Sequence, residues 1–207
     1  METLLKPLAI TPTPRQLQQL EQYAALLREV NAHTNLVAES TMADLETRHI
    51  LDSAQLVPYL SAKPCKVLDV GSGAGLPGII LAILAPQHTY TLAEKVGKKS
   101  AFLQRVVDEL KLRNVQVWGK QVSEVREKAD IITCRAWAAL DTIVITTFPL
   151  LRPNGSWWLL KGEAVKSEIE ACEKAQQMTI ESFPSITHPT GVVLHLTPVS
   201  RGTHTSE

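Results

Sequence analysis

The 207-residue chain has little cysteine and no surplus of charge. Its three cysteines, Cys65, Cys134 and Cys172, lie far apart and form no C-x-x-C pair. That spacing excludes a disulfide framework and a cysteine zinc site, and it fits a reducing, cytoplasmic setting. Lys plus Arg, 21, equals Asp plus Glu, 21. No global positive field exists, so contact with nucleic acid must come from a local patch. No apolar h-region follows Met1, so no targeting segment is expected. The stretch from Val70 to Ala93 lacks Asp, Glu, Lys and Arg, yet its glycines and prolines break it up and exclude a membrane span. None of the six histidines falls at metal-ligand spacing, so no metal is expected.

What is present is globular. Hydrophobic residues make up 44% and charged residues 20%, which excludes disorder and a coiled coil. Thr13, Pro14 and Gln16 form a helix start, followed by Leu17, Leu20, Ala24, Leu27 and Val30 on one face. A second helix is expected from about Ser40 to Pro64. From Cys65 the pattern alternates. Strands are predicted at Cys65–Val70, Thr89–Glu94, Val115–Trp118, Ala129–Cys134 and Ser156–Leu160, the last after a Pro153-Asn154-Gly155 turn. Helices are predicted at Pro77–Leu84, Gly97–Leu112, Trp137–Leu151 and Glu163–Met178. Two β-like runs, Ile180–Ile186 and Val192–Leu196, close the domain. The expectation is an α/β fold: a mostly parallel, Rossmann-like seven-stranded sheet with helices on both faces. Residues 1–64 would form a helical cap, 65–199 the core and 200–207 a polar, frayed tail, as one compact unit.

The most informative stretch is Val67 to Gly78, VLDVGSGAGLPG. A strand ends in three alternating glycines and then enters a helix, where a backbone can approach a ligand closely. A bare tight turn is the plain alternative. A dinucleotide fingerprint needs Gly or Ala at the sixth position from Gly71, and Leu76 stands there. S-adenosylmethionine fits better: Asp69 suits its cationic methionine end, and Glu94 suits a ribose diol. Glu94 alone does not discriminate, since a nicotinamide cofactor carries the same diol.

Several segments resemble one family. The loop Gly71 to Gly78 comes with Asn35-Leu36, Arg48-His49-Ile50-Leu51-Asp52-Ser53, Gly97-Lys98-Lys99, Arg135-Ala136 with Leu140, and Lys161-Gly162, in order. Together they resemble the small-subunit (16S) ribosomal RNA guanine-N7 methyltransferases, the glucose-inhibited division protein B family. The resemblance implies a class I methyltransferase fold. It implies methyl transfer from S-adenosylmethionine to N7 of one guanine in the 530-loop region of 16S ribosomal RNA. By motif, the cofactor positions are Gly71, Leu76, Val122, Ser123 and Arg135, with Glu94 at the family's acidic position and Arg135 also catalytic; the reading of the loop itself adds Asp69, Gly73 and Gly75. RNA would meet Arg48, His49, Lys98, Lys99 and Lys161. The partner is 16S ribosomal RNA or the small subunit, and the enzyme would act as a monomer. Gln121 and Ser123 stand where the family has an arginine and a glutamate, which motivates a second reading, a binding module without catalysis. A nicotinamide oxidoreductase is a third.

The chemistry asks for little machinery. Guanine N7 has a lone pair and no proton to lose, so placement matters more than a base, and the lack of a Cys-His or Ser-His pair is expected. Each site residue also has a plainer reading. Arg135 could be an ion-pair partner of Glu94 or Asp130, and Arg48 could pair with Asp52 at i, i+4. Trp137, Trp157 and Trp158 are expected in the core. From Lys95 to Arg135, ten basic residues face five acidic ones, a local surplus of five that suits phosphate contact or a solvated helix face.

Overall fold

The computed structural model describes residues 1–199, so the expected tail at 200–207 lies outside the described residues. Seven strands form one sheet: β1 (Lys66–Val70), β2 (Thr89–Ala93), β3 (Val115–Trp118), β4 (Ala129–Arg135), β5 (Leu151–Lys161), β6 (Met178–Pro184) and β7 (Val192–Pro198). The sheet order is β3-β2-β1-β4-β5-β7-β6. β1 to β5 run parallel, whereas β7 pairs antiparallel with both β5 and β6. The order reverses between β1 and β4, so the carboxyl ends of β1, β2 and β4 border the crevice where such sheets take ligands.

The helices are α1 (Glu2–Leu5), α2 (Pro14–Thr34), α3 (Asp52–Ala54), α4 (Gly78–Leu84), α5 (Gly97–Leu110), α6 (Leu140–Thr147) and α7 (Val165–Ala171). α2 starts as expected: Thr13 and Gln16 bond reciprocally across the first turn, and Pro14 needs no amide partner there. Its apolar face packs on α4 and α5, and Leu20, Leu27, Ile79 and Leu103 share one buried cluster. Gln16 and Gln19 fasten the packing by donating to the carbonyls of Ile83 and Leu110. α4 is buried on every side, which explains its wholly apolar sequence.

Four expected boundaries are corrected. The helix expected from Ser40 to Pro64 is broken into a 3-10 turn at Glu39–Thr41, a π-helical turn at Glu46–Leu51, α3, and a 3-10 turn at Val57–Tyr59. Pro58 cannot donate an amide to a continuing helix, and the π-helical turn carries Arg48 and His49 into the site. The helix expected from Trp137 begins only at Leu140, because Ala136 adopts φ +52° and Trp137–Ala139 form a loop. The Pro153-Asn154-Gly155 segment is a bulge inside β5, where Ala129 pairs with Leu151 and Ile131 with Ser156. The helix expected to reach Met178 stops at Ala171, and Met178 opens β6. Trp157 and Trp158 are core residues as expected; Trp158 stacks between Tyr59 and His195.

Candidate functional site

β1 ends in the glycine loop, where Gly71, Gly73 and Gly75 all take positive φ, at 65°, 56° and 90°. Such angles are strained for a residue with a side chain. Gly71 is also required by space: a Cβ there would lie 2.3 Å from Cδ1 of Trp137. Beside the loop lies a cleft of about 270 Å3, lined among others by Val70, Gly71, Glu94, Lys99, Val122 and Trp137. Glu94 directly follows β2, is 7% exposed, and uses each carboxylate oxygen once. Oε2 accepts from the Gly73 amide at 3.0 Å and Oε1 from the Val96 amide at 2.8 Å. Each oxygen keeps a lone pair for a ligand hydroxyl.

Asp69 does not reach this cleft, contrary to the expectation that it would meet the cofactor's cationic end. It is fully buried. Oδ1 accepts from the Thr133 hydroxyl at 2.8 Å, and Oδ2 from the Gly78 amide at 3.3 Å. Its role is to brace β1, β4 and the start of α4 against one another. Burial pushes its carboxyl up to about 6. Leu76 is likewise turned into the core, so only its backbone is available to a ligand. Val122 faces the cleft, whereas Ser123 is exposed and outside its lining. Gln121 and Glu124 bond reciprocally around this turn, which sets the backbone at 121–123.

A second, larger cleft of about 820 Å3 lies over the ends of β4, β5 and β7. Ala136 and Trp137 line both clefts and form the partition between them. Trp137 is therefore half-buried at the site and not wholly in the core as expected. Arg135 opens into the larger cleft and not into the glycine-loop cleft. It pairs with neither Glu94 nor Asp130; Asp130 is held by Arg152. One Nη of Arg135 donates to Asp52 Oδ2 at 2.9 Å and to the Arg48 carbonyl at 3.0 Å. The other donates to His49 Nδ1 at 2.6 Å. Asp52 thus meets Arg135 rather than Arg48.

Because arginine can only donate, His49 Nδ1 must accept, and its proton sits on Nε2. That nitrogen lies 2.7 Å from the Thr41 hydroxyl, which in turn donates to the Ala38 carbonyl. Burial, and behind it the Arg135 guanidinium, pushes His49 down to about 4. Asp52 Oδ1 accepts from Thr187 and Gln55, and Gln55 also bonds Ser185. The network joins β4, the π-helical turn and the segment between β6 and β7. Thr41, Gln55, Thr133 and Thr187 carried no sequence signal, since their partners lie up to 135 residues away.

The basic residues divide. Arg48 and Lys161 line the larger cleft and Lys99 the smaller one. Lys98 is exposed and lines neither cleft. Among the described residues no group of three His, Cys, Asp or Glu could hold a metal. No described helix is long and apolar enough to cross a membrane.

The smaller cleft fits S-adenosylmethionine better than a dinucleotide. A pyrophosphate needs open amides at a helix start, but here a carboxylate already takes the Gly78 amide and another takes the Gly73 amide. The two carboxylates thus occupy amides that a pyrophosphate would need.

A family profile described as rRNA small subunit methyltransferase G (GidB) matches residues 16–194. The chain belongs to this family. One member of the rRNA small subunit methyltransferase G family, from Paramagnetospirillum magneticum, is 40% identical over 187 residues, covering 90% of each chain. Another, from Burkholderia cenocepacia, is 42% identical over 83% of this chain and 78% of its own. The fold is shared more widely. A ribosomal protein L11 methylase from Lactobacillus delbrueckii superposes with a TM-score of 0.61 at 13% identity, covering 73% of this chain and 78% of that one. Aeropyrum pernix fibrillarin, solved with bound S-adenosyl-L-methionine, superposes at 0.56 with 16% identity over 73% and 75%. The class I methyltransferase architecture is therefore the one expected from the resemblance.

Proposed function

We propose that this chain transfers a methyl group from S-adenosylmethionine to N7 of a guanine in 16S ribosomal RNA, in the 530-loop region that the family resemblance implies. The observation that carries the reading is the pair of clefts that share Ala136 and Trp137 in their walls, one suited to the cofactor and the other open to substrate. When bound, the cofactor supplies an electrophilic methyl on a sulfonium, which an N7 lone pair takes as the carbon–sulfur electrons pass to sulfur.

The protein's work is then placement. Glu94 and the glycine loop would hold the cofactor, and Val122 with the backbone at 121–123 would close its cleft on the other side. No side chain need remove a proton. His49 fits that economy, since its ring is neutral and its Nδ1 is occupied by Arg135. Arg135 keeps one Nη hydrogen and its Nε hydrogen for substrate while it holds the π-helical turn in place. Arg48, Lys98 and Lys99 supply phosphate contact from a neutral protein, and Lys161 faces substrate from the wall of the larger cleft. Residues 1–64 act as a cap on the core at 65–199, and the enzyme acts as a monomer in the cytoplasm.

The test is transfer of labelled methyl to unmethylated small ribosomal subunits, with the product mapped by cleavage at 7-methylguanosine. One labelled guanine is expected. Cofactor binding without transfer to any RNA would instead support the binding-module reading.

A further inference from the structure

The larger cleft contains a charged pair that cofactor binding leaves without a task. Lys161 closes β5 and Glu168 lies on α7, with Nζ and Oε2 2.5 Å apart. The two side chains are only 9% and 21% exposed. Lys161 also donates to the Ala138 carbonyl at 3.1 Å, and Glu168 Oε2 accepts from the Leu140 amide at 2.7 Å. Both side chains therefore sit on the chain that continues directly from the Ala136–Trp137 partition. The contacts of Glu168 fall on Oε2, and no hydrogen bond to Oε1 is present among the described residues. A largely buried ion pair is weak evidence for stability, because desolvating two charges consumes most of what their attraction returns. Glu168 lines the cleft, and a carboxylate oxygen with no protein donor can accept from a ligand there.

The cleft is in the size range that takes a whole small ligand, such as a single nucleotide. A base that reacts on one of its ring atoms must leave its stack to reach such a pocket. N7 and O6 lie on the same edge of guanine, and N1–H and the N2 amino group lie beyond O6. A guanine with N7 at the partition brings O6 to the adjoining wall, and its two donors come next. Resting on the guanine-N7 reading, we propose that Lys161 and Glu168 select the target base. The ammonium donates to O6, and Glu168 Oε1 accepts from N1–H and the N2 amino group of an extruded guanine. Adenine presents an amino group to the ammonium and no N2 donor to the carboxylate, so it is refused from both sides.

The experiment uses small subunits assembled with guanosine, inosine or adenosine at the target position, with wild-type enzyme and Glu168→Gln. Inosine lacks only the N2 amino group. The wild type should lose about tenfold to a hundredfold in kcat/KM on inosine, the worth of one hydrogen bond to a charged group. Glu168→Gln should lose a similar factor on guanosine yet treat guanosine and inosine within about threefold, with cofactor affinity unchanged. A purely structural strut between α7 and α6 would lower both substrates together and keep the preference, which would overturn the proposal. Wild-type enzyme that methylates inosine as fast as guanosine overturns it without any variant. Wild-type enzyme that binds cofactor but methylates no guanosine subunit sinks the underlying function instead, so the two failures are distinct.

Discussion

Arg135 and Asp52, 83 residues apart, meet at 2.9 Å with side chains 16% and 18% exposed. The pair ties the end of β4 to the start of α3, directly after the π-helical turn. Arg135→Ala leaves Asp52 Oδ2 and His49 Nδ1 without their donor, while Asp52 Oδ1 keeps Thr187 and Gln55. Stability should fall by roughly 2 kcal/mol in urea denaturation, less than for a fully buried pair because water still reaches both groups. Methyl transfer should fall at least tenfold in kcat, with a smaller change in cofactor affinity. Full activity in this variant would remove Arg135 from the catalytic assignment.

Gly71→Ala and Gly73→Ala separate crowding from strain. Both positions have positive φ, which costs a side-chain residue about 1–2 kcal/mol. A Cβ at Gly71 collides with Trp137, whereas one at Gly73 has nothing nearer than 3.7 Å. Calorimetric titration of S-adenosylmethionine should show the greater loss for Gly71→Ala. Gly73→Val, branched at Cβ, should abolish binding.

Tyr23 on α2 donates to the Ala74 carbonyl inside the glycine loop, at 2.9 Å and fully buried. Tyr23→Phe leaves that carbonyl unpaired. The expected cost is about 1–3 kcal/mol of stability, and hydrogen exchange should speed up at 72–76 before it changes in β1.

Two buried groups give stability opposite pH slopes. His49 is pushed below its ordinary value, to about 4, so the stability of its neutral form is present above pH 6.5 and is lost as pH falls toward 4. Asp69 is pushed above its ordinary value, to about 6, so its contribution is present below pH 3.8 and is lost as pH rises through 6. Between pH 4 and 6 the two oppose each other. Denaturation midpoints across this window should rise with pH in Asp69→Asn and fall with pH in His49→Gln. Parallel slopes in the two variants would contradict these assignments.

Much of the scaffold was legible because it rests on local rules. The Thr13–Gln16 cap, the apolar strands and the glycine loop each declare themselves within a few residues. The site was less legible where tertiary contacts override local pattern. Asp69 sits one residue before the end of β1, where a cofactor contact is a natural expectation, but alternation along the strand turns its carboxylate toward Thr133. The helical periodicity of Leu45, Ile50 and Leu56 hides a π-helical turn, since core packing and the Arg135 network, not spacing, decide that backbone. Glu168 falls within the expected Glu163–Met178 helix with no motif around it, and only the return of α7 onto the start of α6 places it at the cleft.

Ala136 and Trp137 belong to both clefts, and Ala136 holds a left-handed conformation to put them there. Two ligands that share a wall do not titrate independently. Whatever free energy one gains or loses by pressing on the indole, the other must register in equal measure. Cofactor isotherms recorded with and without ribosomal subunits should therefore be displaced from one another, and subunit affinity should shift by the same factor when cofactor is saturating. Replacing Trp137 with a smaller residue would change the size of that displacement before it changed either affinity alone.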